Sequence, residues 1–399
     1  MGRTRLLILC TATACGVAAS AADWSSLDRY QQTISRSEFE TFLAHVYCPS
    51  GALTNYLIFG TNSVTVFSTV EKTNALFTLQ FSSAISSPIS HSPLSLKRIA
   101  LDPGHIGGEW ARMEERFFER GKDRSVQEAV LNLTVARLLK TRLEAAGAQV
   151  YLTKNNFAPV TDKRPEDFRA QAEQEMAALT SFDAFPPAER EAARADAIRK
   201  RAELLFYRSS EIAARARLLN EKIKPDLTIC LHFNAVEWDD CQSLVDDNRL
   251  VVFVHGNYLA SELKDDEQKL RLFSKLLERS HPAELMVAEA IATALARATR
   301  LPPVEYGPSS GSSRGFTTSG SIRVGDNPYV FARDLAANRL VNGPVVYLEP
   351  YYMNNRVVYQ RIQLGDYEGS RDVNGVPMKS IFREYADAVA DGLAKFLSR

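Results

Sequence analysis

The sequence has no excess of charge of either sign. Lys and Arg together number 48, as do Asp and Glu, so the formal net charge over 399 residues is zero. Such a balanced chain lacks the field that gathers nucleic acid or anionic membrane, and neither is expected as a partner. Cysteine is scarce: five in all, with Cys10 and Cys15 close to the amino terminus. The others, Cys48, Cys230 and Cys241, are an odd set and exclude a disulfide framework, though one bridge among them is open in an oxidising compartment. Cys230 lies inside the apolar stretch "LTICLHF" and reads as a small buried hydrophobe. After the first residues no run is apolar and long enough to supply the ~20 residues of a bilayer span, and there are no internal repeats. What remains is 45% hydrophobic and 24% charged, an ordinary globular composition with enough length for a large core.

The amino terminus has its own character. "MGRTR" is basic, "LLILCTATACGVA" is apolar and "ASAAD" supplies small residues for cleavage. That order reads as a secretory signal over residues 1–22, cleaved near Ala22. A retained membrane anchor is the alternative. Lipoprotein processing at Cys15 is a further one, but "TATAC" lacks a large aliphatic residue before the cysteine. The expected destination is the cell envelope, specifically the periplasm.

Residues 24–81 read as a small α+β module. "SRSEFETFLAHVY" has helical spacing, with Ser37 and Glu40 in a capping-box pattern. "NYLIFG-TNS-VTVFST" reads as a hairpin and "NALFTLQFS" as a third strand. Residues 82–96 are rich in Ser and Pro, which marks a linker. From 97 to 399 strand and helix patterns alternate. Strands are expected at "KRIALDPG", "AQVYLTK", "DLTICLHF", "RLVVFVHG" and "GPVVYLEPYY". One intervening helix places Leu131, Val135, Leu138 and Leu143 on a stripe and ends at Gly147. The expected fold class is α/β: a twisted, mostly parallel sheet with helices on both faces, preceded by the small module. Insertions fall near 160–210 and 236–282.

In open α/β sheets, ligands bind beyond the carboxyl ends of strands. Those ends carry His105, then His232 followed by Asn234, and Glu349; Glu128 opens a helix expected at the same edge. Two imidazoles and a carboxylate form a zinc set with an open fourth position, and a further carboxylate can move protons. Each residue also has a plainer reading. His105 is a hydrogen-bonding group at a turn, and Glu128 is an acid favoured by a helix dipole. His232 and Glu349 are harder to set aside, because they interrupt apolar strands where an unpaired polar group is costly. His45 and His91 lie away from this edge, His281 reads as local capping, and His255 ends a neighbouring strand where it could support the site.

In order, "IALDPGHIGG", "QEAVLNLTVARLLKTRLEAAGAQVYLTK", "DLTICLHFNA" and "GPVVYLEPYYMNN" resemble the signature segments of zinc-dependent N-acetylmuramoyl-L-alanine amidases. The resemblance spans about residues 96–398. It implies one zinc per chain held by His105, Glu128 and His232, with Glu349 as the catalytic glutamate. It also implies hydrolysis of the amide between muramic acid and the stem peptide, with peptidoglycan or a muropeptide as substrate. "RARLLN" matches the family's helix through Arg215 and Asn220. "NPYVFARD" is similar to a segment beside the substrate groove, and Asn234, Arg333 and Tyr351 are carried as substrate-binding candidates.

The chain departs from that pattern in places. Ile106 stands between the histidine and the glycine pair. "EWARMEERFFERGKDRS" lengthens the gap before Glu128 and offers Glu109 as a rival ligand, and Pro350-Tyr351 replaces a hydroxyl residue and glycine. Two other functions compete: an inactive amidase-like module that only binds peptidoglycan, and a zinc carboxypeptidase-like peptidase, although no His-x-x-Glu pair or His-Glu-x-x-His helix is present. The charged stretch 160–222 reads as a solvated helical extension. A lid is the sharper alternative, with Glu237, Asp239 and Asp240 in the loop after His232 as its candidate acids. A regulatory partner is left open.

Overall fold

A computed structural model describes residues 22–83, 96–177, 182, 185–236, 243–305 and 320–397. The expected signal (apart from Ala22), almost all of the linker, Cys241 and the three loop acids lie outside the described residues.

The amino-terminal segment forms helix α1 (Arg36–Phe42) and an antiparallel sheet of β1 (Leu57–Phe59), β2 (Ser63–Phe67) and β3 (Ala75–Gln80). Its cap is Ser35, not Ser37. Ser35 is extended, and its hydroxyl accepts the Glu38 N–H at 3.2 Å, so the capping pair sits two residues earlier than expected.

Strand β4 (Arg98–Pro103) begins the main sheet. A two-stranded ribbon, β5 (Phe117–Phe118) and β6 (Val126–Gln127), leads into α2 (Glu128–Ala145), then β7 (Gln149–Leu152). Helices α3 (Arg169–Ala177), α4 (Pro187–Leu204) and α5 (Glu211–Arg217) follow, and then β8 (Leu227–Leu231) and β9 (Leu250–His255). Next come α6 (Asp266–Glu278), α7 (His281–Thr299), β10 (Ser321–Arg323), β11 (Val330–Arg333), α8 (Ala336–Leu340) and β12 (Val345–Pro350). Helix α9 (Arg356–Leu364), the hairpin β13 (Ser370–Val373) and β14 (Val376–Lys379), and α10 (Ile381–Leu397) complete the chain.

The main sheet has seven strands in the order β10-β11-β9-β12-β8-β4-β7. Strands β7, β4, β8 and β12 run parallel to one another, so their carboxyl ends share one edge. The expectation of a mostly parallel α/β sheet holds. Two pairings are antiparallel: β10 with β11, and β9 with β12, where Glu349 lies opposite Val251. The carboxyl end of β9, His255, therefore lies at the far edge. There His255 is fully buried, 3.0 Å from the Tyr258 hydroxyl, and it supports no group at the near edge. Strand β11 is parallel to β9 and pairs Arg333 with His255, so Arg333 also ends at the far edge.

One sheet face is covered by α2, α7 and α10, with Ile99, Leu101, Ile229, Leu231, Val346 and Leu348 turned toward them. On α2 the buried stripe is Leu131, Val135, Leu139 and Leu143; Leu138 is only partly buried because the i, i+4 row runs through its neighbour. Gly147 follows the helix end at φ 95°, the left-handed turn that releases the chain into β7. The opposite face packs Ala100, Cys230 and Val345 against Ala216, Leu219 and Ile223 from α5 and the turn after it. Among the described residues of 160–222, α3 and α4 are charged and largely solvent-facing, whereas α5 and the turns beside it are half buried. The second helix of this stretch is interrupted by π-type turns at Leu205–Ser210 and Leu218–Ile223, on either side of α5.

The amino-terminal module has no separate core. Trp24, Phe39, Tyr47 and Leu79 share one apolar cluster with Tyr258, Leu272, Phe273 and Leu276 from the second insertion. The physical reason is size: about 60 residues cover too little apolar surface to be comfortable alone. Cys48 in this cluster and Cys230 in β8 are both free and buried, so no bridge joins them.

His281 begins α7 beside this cluster, with its ring 6.4 Å from that of Phe42. It is buried rather than acting as an exposed cap, and burial drops its imidazole from 6.5 to about 4. An unfolded chain takes up this proton near pH 6.5, whereas the folded chain resists until about 4. The stabilisation is therefore complete above 6.5 and is lost as pH falls toward 4, by up to about 3 kcal/mol. Urea unfolding of wild type and His281→Gln between pH 7.5 and 4 should show this extra slope only in wild type. Parallel profiles would contradict it.

Candidate active site

The site begins with the turn after β4. Pro103 ends the strand and Gly104 continues it, because a Cβ at residue 104 would lie 2.0 Å from the His232 ring. His105 then adopts φ 64°, a left-handed conformation uncommon for histidine. Buried Arg215 on α5 holds that backbone. It donates to Pro103 O at 3.0 Å, His105 O at 2.9 Å and Asp102 Oδ1 at 3.2 Å, and its Nε bonds Glu211 at 2.8 Å. Ile106, the departure from the family pattern, is fully buried against Phe206 and Tyr207 at the first π-type turn. Its carbonyl accepts from the Lys154 ammonium at 2.9 Å. The extension thus braces the histidine turn from below.

His105 from this turn and His232 just past the end of β8 meet Glu128 at the sheet edge. His105 Nε2 is 3.1 Å from Glu128 Oε2, and His232 Nδ1 is 2.9 Å from Glu128 Oε1. One donor atom from each of the three residues falls within 4.8 Å of the other two, so the three could hold a metal ion. Glu109 is exposed and does not join them. Behind His105, the buried Glu114 stands 3.5 Å from Nδ1 and accepts the N–H groups of Ile106 and Gly107 at 2.9–3.0 Å. His232 stacks on Tyr347, with ring centres 4.3 Å apart.

The electrostatics follow from these contacts. Burial alone raises the Glu128 carboxyl, but the charges and hydrogen bonds of His105 and His232 outweigh it and hold the group well below the ordinary range. Burial lowers His105, yet Glu128 and Glu114 together lift it above its ordinary value. His232 is lowered, chiefly by burial. Glu349 is raised to about 7 by burial and by the neighbouring Glu128 charge, with Arg333 and Arg116 pulling it back. Asn234 Nδ2 donates to Glu349 Oε2 at 3.0 Å.

These groups line one cavity of about 550 Å3 with His105, Glu128, His232 and Tyr347 on its wall, together with Asn234, Glu349 and Arg116. Two imidazoles and a carboxylate converging on one point are a donor set that would suit a divalent zinc. A family profile described as N-acetylmuramoyl-L-alanine amidase matches residues 99–373.

The chain belongs to the N-acetylmuramoyl-L-alanine amidase family, and its activity is that of a cell-wall amidase. No curated protein matches the chain. Among solved structures, the N-acetylmuramyl-L-alanine amidase Ami1 from Mycobacterium smegmatis is 15% identical. That alignment covers 77% of this chain and 99% of that one, with a TM-score of 0.38. The catalytic domain of CwlV from Bacillus (Paenibacillus) polymyxa var. colistinus is 14% identical, covering 76% and 98%, with a TM-score of 0.39. AmiC2 of Nostoc punctiforme is 14% identical, covering 75% and 97%, at 0.38. At these scores the likenesses add nothing to the family match.

Two of the substrate-binding candidates sit elsewhere. Tyr351 is in the core: its ring stacks on Phe233 and its hydroxyl donates to Glu384 at 2.8 Å. Its φ of 63° turns the side chain away from the cavity. Arg333 reaches back over Phe253, its guanidinium 5.8 Å from the ring centre, and is not part of the cavity lining. Asn234 does line the cavity. Asn220 acts at a distance, bonding Leu340 O at 2.8 Å and Asn342 N–H at 2.9 Å to fix the approach to β12. Sequence reasoning missed Glu114, Arg116, Lys154 and Tyr347. Only Tyr347 had a legible signal, since strand alternation puts it on the same face as Glu349.

Gly104→Ala is expected to displace the His232 ring, destabilise the fold by about 1–3 kcal/mol and abolish zinc uptake. Metal analysis beside thermal unfolding checks this. A folded variant with wild-type zinc content would contradict the close approach.

Proposed function

We propose that this amidase carries one zinc on His105, Glu128 and His232 and hydrolyses the amide between N-acetylmuramic acid and the L-alanine of the peptidoglycan stem. The observation that carries the reading is the convergence of those three donors in the cavity that also holds Glu349. Bound zinc would supply a Lewis acid that lowers the pKa of water toward ~7. The chain's own residues do the rest. Arg215 and Glu114 fix the ring of His105 through its backbone and its Nδ1. Gly104 and Tyr347 fix that of His232.

Glu349 takes the proton of the attacking water. The water oxygen bonds the lactyl carbonyl carbon, the C–N bond breaks, and Glu349 returns the proton to the departing alanine nitrogen. Asn234 occupies Oε2 of Glu349, which leaves Oε1 for the proton. Asn234 also contributes a polar wall for the substrate. Export by a cleaved leader to the periplasm fits this substrate. Among the described residues no helix is long and apolar enough to cross a membrane.

Mass spectrometry of digested peptidoglycan tests the reading. Free stem peptides beginning with L-alanine should appear, vanish with chelator and return with zinc. Release of a carboxyl-terminal amino acid instead would favour the peptidase reading, and intact wall with zinc bound would favour the binding module. Glu349→Gln should keep its zinc and fold but lose about 100- to 10,000-fold in turnover. Near-normal turnover in that variant would remove Glu349 from the mechanism.

A further inference from the structure

We infer that Arg116 is a catalytic residue that carries the negative charge developing on the scissile carbonyl oxygen; the inference rests on the amidase reading above. Arg116 belongs to the segment that lengthens the gap between His105 and Glu128. Its backbone is clamped at both sides: its N–H donates to Ala111 O at 3.1 Å, and its carbonyl accepts the N–H of Glu128 at 3.2 Å. The ribbon that follows pairs Phe117 with Gln127, the residue before Glu128. Arg116 is thus mounted on the same rigid piece as a candidate zinc ligand, not on a free loop.

Its side chain enters the cavity. Nε lies 3.3 Å from Glu128 Oε2, and the group keeps 38% of its side chain exposed. Among the described lining residues it is the one Arg or Lys, set against the carboxylates of Glu115, Glu128 and Glu349. Its Nε pairs with Glu128 and its Nη1 donates to Glu115 O at 3.1 Å, so the fork is held in place and Nη2 is the donor offered to substrate. A carbonyl presented to the three donors arrives beside this guanidinium.

The step balances simply. When the water oxygen bonds the carbonyl carbon, the C=O electron pair moves to oxygen, and the guanidinium N–H groups donate to it. When the C–N bond breaks, that pair returns, and Glu349 delivers the proton to nitrogen. A fixed donor aimed at this oxygen contributes more in the transition state than in the ground state.

The test compares wild type with Arg116→Gln and Arg116→Lys, all zinc-loaded, on a defined muropeptide. Arg116→Gln should retain one zinc per chain when assayed with zinc in excess, which offsets any affinity lost with its contact to Glu128. Its kcat should fall by about 100-fold or more, with KM changed only a few-fold, and Arg116→Lys should recover part of the loss. Calorimetry supplies the second readout. A phosphinate analogue of the lactyl–alanine amide, tetrahedral and anionic, should lose affinity for Arg116→Gln by the same factor. The uncleaved muropeptide, measured on Glu349→Gln with and without Arg116→Gln, should bind almost equally. The inference is overturned if kcat is unchanged, if the loss follows lost zinc, if KM alone rises, or if phosphinate affinity does not move. Wild-type enzyme that releases no stem peptide would instead overturn the amidase reading.

Discussion

One buried guanidinium underlies the site. Arg215 makes its bonds to the turn Pro103–His105, to Asp102 and to Glu211 out of contact with water. Removing one partner from such a set typically costs about 3–5 kcal/mol, because the remaining charge is left buried and unpaired. The left-handed conformation of His105 persists only because its surroundings over-determine it. The π-type turns that flank α5 belong to the same device, since each changes the helical phase and thereby the direction Arg215 faces. Next to it, Lys154 is pushed down to about 7 by burial first and by Arg215 second, while it holds the carbonyl of Ile106. Two basic side chains thus serve backbone oxygens of one short turn.

The charged extension gains a meaning from this arrangement. In sequence it looks like solvated helix, and much of it is. Yet its inner end carries Phe206, Tyr207, Glu211 and Arg215, which form the floor under His105. The extra residue Ile106 fills the apolar space that Phe206 and Tyr207 create. A departure that seemed to threaten the metal site is instead the point where an added element grips it.

The near edge of the sheet was readable because its residues break rules: His232 and Glu349 are polar in apolar strands, and His105 ends a strand at a Pro-Gly turn. Direction was not readable. "RLVVFVHG" is an apolar run that packs equally well either way round, and only the β12 register reveals that β9 is reversed. That reversal is why His255 and the Arg333 backbone fall at the other edge, although the Arg333 guanidinium reaches back over Phe253 far enough to lower Glu349. Glu114 was hidden for a different reason: it is one of four glutamates between residues 109 and 125, and charge density alone does not say which is buried. Tyr351 shared a motif with Glu349 but not a surface, because its positive φ breaks the strand's alternation. The fused module was illegible as well, since its core is completed by residues some 200 positions downstream.

Everything proposed for the site depends on His105, Glu128 and His232 being the protein ligands of a single zinc. X-ray absorption at the zinc edge of the loaded protein tests it most directly. One zinc per chain is expected, with two imidazoles and a carboxylate oxygen at ~2.0–2.2 Å and one further light atom. Sulfur in the first shell, a spectrum unchanged in His232→Ala, or an active enzyme that holds no metal would contradict it.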